Sequence, residues 1–268
     1  MANEWVVGAG GTSSSDVYVF ADGENLKSFK PESEVLKWTG KKFSVVATFS
    51  GELGGGTVLS ADNVFAYGST LYGGLPSAGV YHYNGHKWTK LPGAISGGGD
   101  ALSATSAYVV NGTSIHHYNG TTWTTTNLAS LLPARGADLT GVLALSTDSI
   151  YATGDGGANE SAGPAVILHY NGHKWSKVVS YRDGSADGEP ASDGKGGLWV
   201  AAGESGASVL LHYSGGKLTT VATPEFDGSR VTVFSISRIP GTTGELAGGV
   251  VLDASGKSYH PPVILQSA

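Results

Sequence analysis

Hydrophobic and polar positions alternate along this chain in short runs, and the runs recur. "SSDVYVFA" (Ser14–Ala21), "SADNVFAYG" (Ser60–Gly68), "SATSAYVVNG" (Ser103–Gly112), "STDSIYATG" (Ser146–Gly154) and "GGLWVAAG" (Gly196–Gly203) each carry the period of two expected of a half-buried strand. Apolar runs such as "VLALS" precede them and predict a partner strand across a tight Asp/Ser turn. Downstream comes a second recurring element: "HYNGHKW" (His82–Trp88), "HYNGTTW" (His117–Trp123), "HYNGHKW" (His169–Trp175), "HYSGGKL" (His212–Leu218) and, more distantly, "VLKWTGKK" (Val35–Lys42). Gly40, Gly85, Gly120, Gly172 and Gly215 are each followed three positions later by Phe43, Trp88, Trp123, Trp175 or Leu218. Asn-Gly supplies the positive φ angles of a type I′ turn, so each such segment is expected to be a hairpin.

Each unit thus reads as strand a, a tight turn, strand b, a variable loop, strand c, an Asn-Gly turn and strand d. The spacing averages to the about 40–45 residues of a four-stranded propeller blade. Five units are complete, and a sixth stops at "PVILQSA" (Pro262–Ala268), which matches "AVILHYNG" up to the turn. "NEWVVGA" (Asn3–Ala9) has Trp5 where a d strand carries it, so the N-terminal strand 3–9 is expected to pair with 262–268, complete the last blade and close the ring. The expected fold is all-β: one six-bladed β-propeller domain over 1–268, with four antiparallel strands per blade.

The repeat resembles the Tyr-(Asp/Asn)-Gly-x-x-Trp repeats of bacterial β-propellers of regulator and lectin type. The resemblance covers nearly the whole chain and implies the propeller architecture. The sequence departs from the pattern at "LKWTG", "LLHYSGGKL" and "VILQSA", and no catalytic motif carries over. Propellers host many unrelated functions, so function has to come from the site.

Composition fits and narrows this picture. The 268 residues include 42 glycines and only 14% charged side chains, which suits short strands joined by tight turns. With no cysteine, disulfides, thiolate metal sites and a cysteine nucleophile are excluded. A net charge of −6 offers nucleic acid no basic footprint, and no apolar run approaches the about 18 residues of a membrane span. "MANEWVVGAG" is not a signal peptide, so a secreted, periplasmic or cell-surface location is expected with the signal already removed. A monomer is expected.

The repeated histidines are the first candidates for chemistry. His82, His117, His169 and His212 hold one equivalent position, which Lys37 and Gln266 fill in the other two blades. Equivalent positions on different blades do not converge on one ligand, so these are expected to be inter-blade packing and hydrogen-bonding residues. His86 and His173 fall at turn tips, and His116 is an ordinary strand residue. His260, in "GKSYHPP", lies outside the repeat and stays a candidate.

Charge sorts by end of the blade. Lys41, Lys42, Lys87, Lys174 and Lys217 fall at c–d turns, and Asp16, Asp62, Asp148 and Asp193 at a–b turns, where turn capping explains them. Most other carboxylates fall in the loops of the opposite end, together with Arg135, Arg182 and Arg230 in "LLPARGADLTG", "SYRDGSADGEP" and "TPEFDGSRVTV". Arg135, Asp138, Tyr181, Arg182, Asp183, Glu225, Asp227, Arg230, Tyr259 and His260 form the expected ligand-binding set. Arginine gives bidentate contacts to carboxylates or hydroxyls, and an aromatic ring stacks on a sugar face. Asp100 and Glu189 fall near the starts of strands a, the placement of a general acid and base facing across a channel. "DGSADGEPASD" offers Asp183, Ser185 and Asp187 to calcium but lacks the bidentate acid at the twelfth position, which favours a turn-rich loop without metal. The glycine runs precede no helix and are not phosphate loops, so no cofactor is expected beyond that calcium candidate.

The resulting expectation is a binding propeller for a glycan or small polar molecule at one asymmetric loop-face site. The alternatives are a hydrolase, lyase or isomerase using the loop carboxylates and arginines, and a protein-interaction scaffold.

Overall fold

The computed structural model describes residues 2–25, 27–28, 30–69, 76–133, 137–155, 164–181, 184, 186, 188–204, 207–226, 229–238, 245–251 and 263–266. The sequence period becomes six four-stranded antiparallel sheets. Blade 1 is β1 (Ala2–Ser13), β2 (Asp16–Glu24), β3 (Pro31–Trp38) and β4 (Phe43–Ser50). Blade 2 is β5 (Leu53–Ser60), β6 (Asn63–Gly68), β7 (Tyr81–Tyr83) and β8 (Trp88–Lys90). Blade 3 is β9 (Gly99–Ser103), β10 (Ser106–Asn111), β11 (Ser114–Tyr118) and β12 (Trp123–Asn127). Blade 4 is β13 (Leu139–Ser146), β14 (Ser149–Gly154), β15 (Ala165–Tyr170) and β16 (Trp175–Tyr181). Blade 5 is β17 (Ala191–Ser192), β18 (Leu198–Glu204), β19 (Ala207–Ser214) and β20 (Lys217–Ala222). Blade 6 is β21 (Glu225–Phe226), β22 (Ser229–Arg238), β23 (Glu245–Val251) and β24 (Val263–Gln266). This is an all-β, six-bladed β-propeller.

The chain divides into two compact units, Met1–Asn111 with Ile115–Thr126 and Gly112–Ser114 with Asn127–Ala268. Within each unit the apolar clusters form between consecutive blades. Tyr18, Phe20, Val35 and Phe49 of blade 1 meet Leu53, Val64 and Ala66 of blade 2. Phe65 and Tyr67 meet Ala101, Val109 and Tyr118 of blade 3. In the second unit, Ile167 and Val179 of blade 4 meet Leu198, Val200 and Leu211 of blade 5, and Ala201 meets Val231 and Val233 of blade 6. A blade is apolar on both faces because each face is buried against a neighbour.

Three expectations need correction. Among the described residues the N-terminal strand is not paired with 262–268 as expected: β1 runs along β2 from Trp5↔Asp22 to Ser13↔Asp16, and the described partner of β24 is β23. β1 and β2 are joined across Ser14–Ser15, so their pairing costs little loop entropy. β1 also packs on β5 so closely that a Cβ on Gly8 would stand 3.1 Å from the Gly55 Cα, the place of a first strand in its blade. The turns differ as well. Tyr83↔Trp88 and Tyr170↔Trp175 enclose four residues, not the two of a type I′ hairpin. Asn84 Oδ1 accepts the N–H groups of His86 and Lys87 at 3.1 and 3.0 Å, Asn171 does the same for His173 and Lys174, and Gly85 and Gly172 take φ of 86° and 83°. Asparagine thus caps its own turn while only glycine takes the left-handed conformation. The type I′ pattern appears in the divergent "HYSGGKL", where Ser214↔Lys217 flank Gly215 and Gly216, both at positive φ.

The repeat histidines are structural, but they pack within their own blades. Each imidazole stacks on a strand-b aromatic: His82 on Phe65, His117 on Tyr108, His169 on Tyr151 and His212 on Trp199, with centroids 4.1–4.5 Å apart. Each Nε2 also bonds a polar residue of the a–b hairpin, namely Asn63, Ser106, Ser149 or Asp193, at 2.8–3.1 Å. Burial lowers the pKa of His82, His117 and His169, so these rings are held neutral.

Candidate functional site

Blade 1 breaks this pattern. Lys37 stands where blades 2 to 5 place histidine, opposite Tyr18 in the β2–β3 register. Its ammonium lies 4.8 Å from the Tyr18 ring centroid, a cation–π distance, and donates to the Ala61 carbonyl of blade 2 at 3.2 Å. The Tyr18 hydroxyl donates to the same carbonyl at 2.7 Å. Burial works to lower the Lys37 pKa, but the Tyr18 hydroxyl and the Asp16 charge outweigh it and raise the value, so the side chain stays cationic.

Above this contact a cleft of about 340 Å³ lies between blades 1 and 2, lined by Tyr18, Lys37, Val46, Tyr83, His86, Lys87 and Trp88. Val46 reaches it through a β-bulge. Val35 pairs with Ala47 and Leu36 with Val45, which leaves Val46 unpaired and 44% exposed. Trp88 is held by Tyr83 at 5.3 Å and, edge-on, by Phe49 at 5.5 Å. In blade 3 the equivalent Trp123 ties its indole N–H to the Pro92 carbonyl at 2.8 Å; the Trp88 N–H makes no hydrogen bond to a described residue. The cleft therefore combines aromatic surface with three basic side chains at the end of the blades that carries the a–b and c–d turns.

The opposite, loop-bearing end of the same blades holds two buried carboxylates, Asp22 at 1% exposure and Glu52 at 4%. Asp22 accepts from the Ser33 hydroxyl at 2.7 Å, and that oxygen in turn accepts the Leu53 N–H at 3.0 Å. Burial raises the Asp22 pKa despite these bonds. Glu52 is raised by burial and by the charge of Asp22, with no opposing hydrogen bond.

Some of the residues expected to form the site fall among the described residues. Asp100 accepts the Thr57 hydroxyl at 2.9 Å, and Thr57 accepts from Tyr67 at 3.2 Å, so Asp100 ties blade 3 to blade 2. Asp100 belongs to the first unit and Glu189 to the second, where its backbone lies against Gly141 of β13. The exposed Asp138 has its N–H bonded to Asp155 Oδ1 at 3.2 Å, Tyr181 ends β16 beside the blade 4–5 cluster, and Glu225 pairs with Arg230 in the β21–β22 register. Arg135, Arg182, Asp183, Ser185, Asp187, Asp227, Tyr259 and His260 lie outside the described residues, as does the Arg230 side chain. The calcium candidate therefore falls wholly outside them, and no metal-binding group of three or more His, Asp or Glu occurs among the described residues. The a–b turn aspartates behave as capping residues where the geometry is clearest: Asp193 Oδ1 accepts the Lys195 and Gly197 N–H groups at 2.7 and 2.8 Å.

Sequence reasoning passed over the cleft because most of its lining is repeat consensus. The available signal was Lys37, a cation at a position filled by a stacked imidazole in blades 2 to 5; the bulge that turns Val46 outward left none.

No protein-family model matches the sequence, and no curated protein matches it. Solved structures do share the fold. The GH74 enzyme of Niastella koreensis aligns over 90% of this chain with a TM-score of 0.61 and 14% identity. This chain spans 43% of that enzyme's length. YCF48 from Cyanidioschyzon merolae aligns over 93% of this chain and 80% of its own, with a TM-score of 0.55 and 11% identity. The β-propeller domain of the trilobed protease from Pyrococcus furiosus, described as having an open velcro topology, aligns over 89% and 73% with a TM-score of 0.50 and 9% identity. Identities this low establish the propeller fold alone.

Proposed function

We propose that this chain is a ligand-binding propeller that takes a carbohydrate or related small polar molecule in the cleft between blades 1 and 2. The observation that carries the reading is the convergence of Trp88, Tyr83 and Lys87 of blade 2 with Lys37 of blade 1, the one described blade whose histidine position holds lysine, on one cavity. An aromatic ring offers a pyranose face its apolar complement, and the amines supply donors to the hydroxyls at its edge. The reading carries with it kinship to lectin-type or regulator-type bacterial propellers and an exported location. It moves the site from the arginine-bearing loops to the turn-bearing end.

A glycan array probed with the wild type, Trp88→Ala, Arg182→Ala and Glu189→Ala tests this. Loss of binding in Trp88→Ala alone is the expected result. Loss in the loop variants alone returns the site to the loops, and binding to no glycan removes the carbohydrate reading.

A second reading rests on Asp22 and Glu52. Two buried carboxylates with raised pKa values at the loop end have the character of a general acid in a hydrolase, lyase or isomerase. Turnover abolished by Glu52→Gln, with ligand binding at the cleft retained, favours it.

A further inference from the structure

Resting on the carbohydrate reading of the cleft, we infer that the site selects acidic over neutral sugars, with the ligand's carboxylate or sulfate held by Lys37 and Lys87 while its ring lies against Trp88. The lining contains the basic side chains Lys37, His86 and Lys87 and no acidic one. The chain as a whole carries a net charge of −6. Asp16 and Asp62 are the nearby acids. Asp16 is buried at the a–b turn of blade 1, and Asp62 lies against Gly85 behind the c–d turn of blade 2.

Lysines at c–d turns are ordinary solvated residues here, as Lys41, Lys42, Lys174 and Lys217 illustrate, and Lys87 alone would carry no weight. Lys37 is different. It sits mid-blade at partial burial, and the repeat's own packing is met by histidine in four other blades. Replacing that histidine forfeits a bond to the a–b hairpin: Oδ1 of Asp16, the blade 1 counterpart of Asn63, Ser106 and Ser149, is buried without a hydrogen-bond partner among the described residues, while Oδ2 accepts from Thr12. A lysine that departs from the consensus at the expense of an internal hydrogen bond, yet keeps its charge at a cavity wall, is placed as a ligand-binding residue is placed. An ammonium has three donors; one is used on Ala61 and one on the Tyr18 hydroxyl, which leaves one for a ligand. The Trp88 indole N–H supplies a further donor at the same wall.

The test is calorimetric titration at pH 8 with two matched pairs: tetragalacturonate against its methyl ester, and cellotetraose sulfate against cellotetraose. Wild type, Lys37→His, Lys87→Gln and Trp88→Ala are compared, with thermal melts to confirm folding. Lys37→His restores the repeat consensus and offers Asp16 a donor, so it removes the cation without removing the packing. The expected result is that each acidic member binds at least about tenfold more tightly than its neutral partner. Lys37→His and Lys87→Gln should each erase most of that preference, and added salt should weaken acidic binding only. Equal affinity for acidic and neutral members, lost in Trp88→Ala, overturns the inference and leaves the carbohydrate reading standing. Binding unchanged in Trp88→Ala, or binding of neither pair, overturns both.

Discussion

Lys37 and Tyr18 form one unit: the ammonium lies 4.8 Å from the centroid of the phenol ring, and both side chains donate to the Ala61 carbonyl. In blades 2 to 5 the same position joins an imidazole to its own blade. In blade 1 it joins two blades and leaves a cation at a cleft.

Lys37→His is therefore expected to leave stability unchanged or raise it. The new imidazole would stack on Tyr18 and bond Asp16, whose buried Oδ1 has no partner among the described residues, a gain of about 1 kcal/mol set against the lost Ala61 bond. Thermal melting measures the balance; a large fall in midpoint would assign Lys37 a purely structural role.

Asp193 should dominate acid sensitivity in blade 5. Burial works to raise its carboxyl, but Ser214, the Lys195 N–H, His212 and the Gly197 N–H outweigh that and hold it at about 2. A folded pKa below the unfolded value gives stability that is present above about pH 4 and lost as pH falls towards 2. The shift corresponds to roughly 2 kcal/mol. Asp193→Asn should remove that amount at pH 7 and little at pH 2, as urea midpoints at the two pH values will report.

The neutral histidines set a second window. His82, His116, His117 and His169 are all lowered by burial, so the unfolded chain takes up their protons first. Stability is full above about pH 6.5 and declines as pH falls below it. His169→Gln should flatten this decline between pH 7 and 5.5; an unchanged slope would mean that the ring is already charged in the fold.

Glu52 has the opposite sign. Its raised pKa means that the folded chain binds the proton more tightly than the unfolded chain, so ionisation at neutral pH destabilises the fold. Glu52→Gln should raise the melting temperature at pH 7 and change it little at pH 4, unless the carboxylate meets a ligand that the wild type needs.

The repeat was legible because glycine, asparagine and tryptophan recur at fixed spacing, and that was enough to count six blades. What it left open was which strand pairs with which. Trp5 matched a d strand by sequence, yet a two-residue turn after Ser13 gives β1 a nearer partner in β2. The Asn-Gly pair by itself predicts a two-residue turn, while the Asn84 side chain caps two N–H groups and the loop has four residues. At the site, Lys37 was visible as a departure from consensus. The bulge at Val46 and a Trp88 N–H that bonds no described residue depend on register and neighbours, which no single residue announces.

The most direct test of the cleft is the indole N–H region of a ¹H–¹⁵N spectrum during titration with tetragalacturonate. Trp88 lines the cleft with an N–H that bonds no described residue, whereas Trp123 is bonded to Pro92 in the next blade interface. The account predicts that the Trp88 resonance shifts on binding and that Trp123 does not. Saturable binding that leaves Trp88 unmoved while amides around Tyr181 and Glu189 shift would contradict it and place the ligand on the loops.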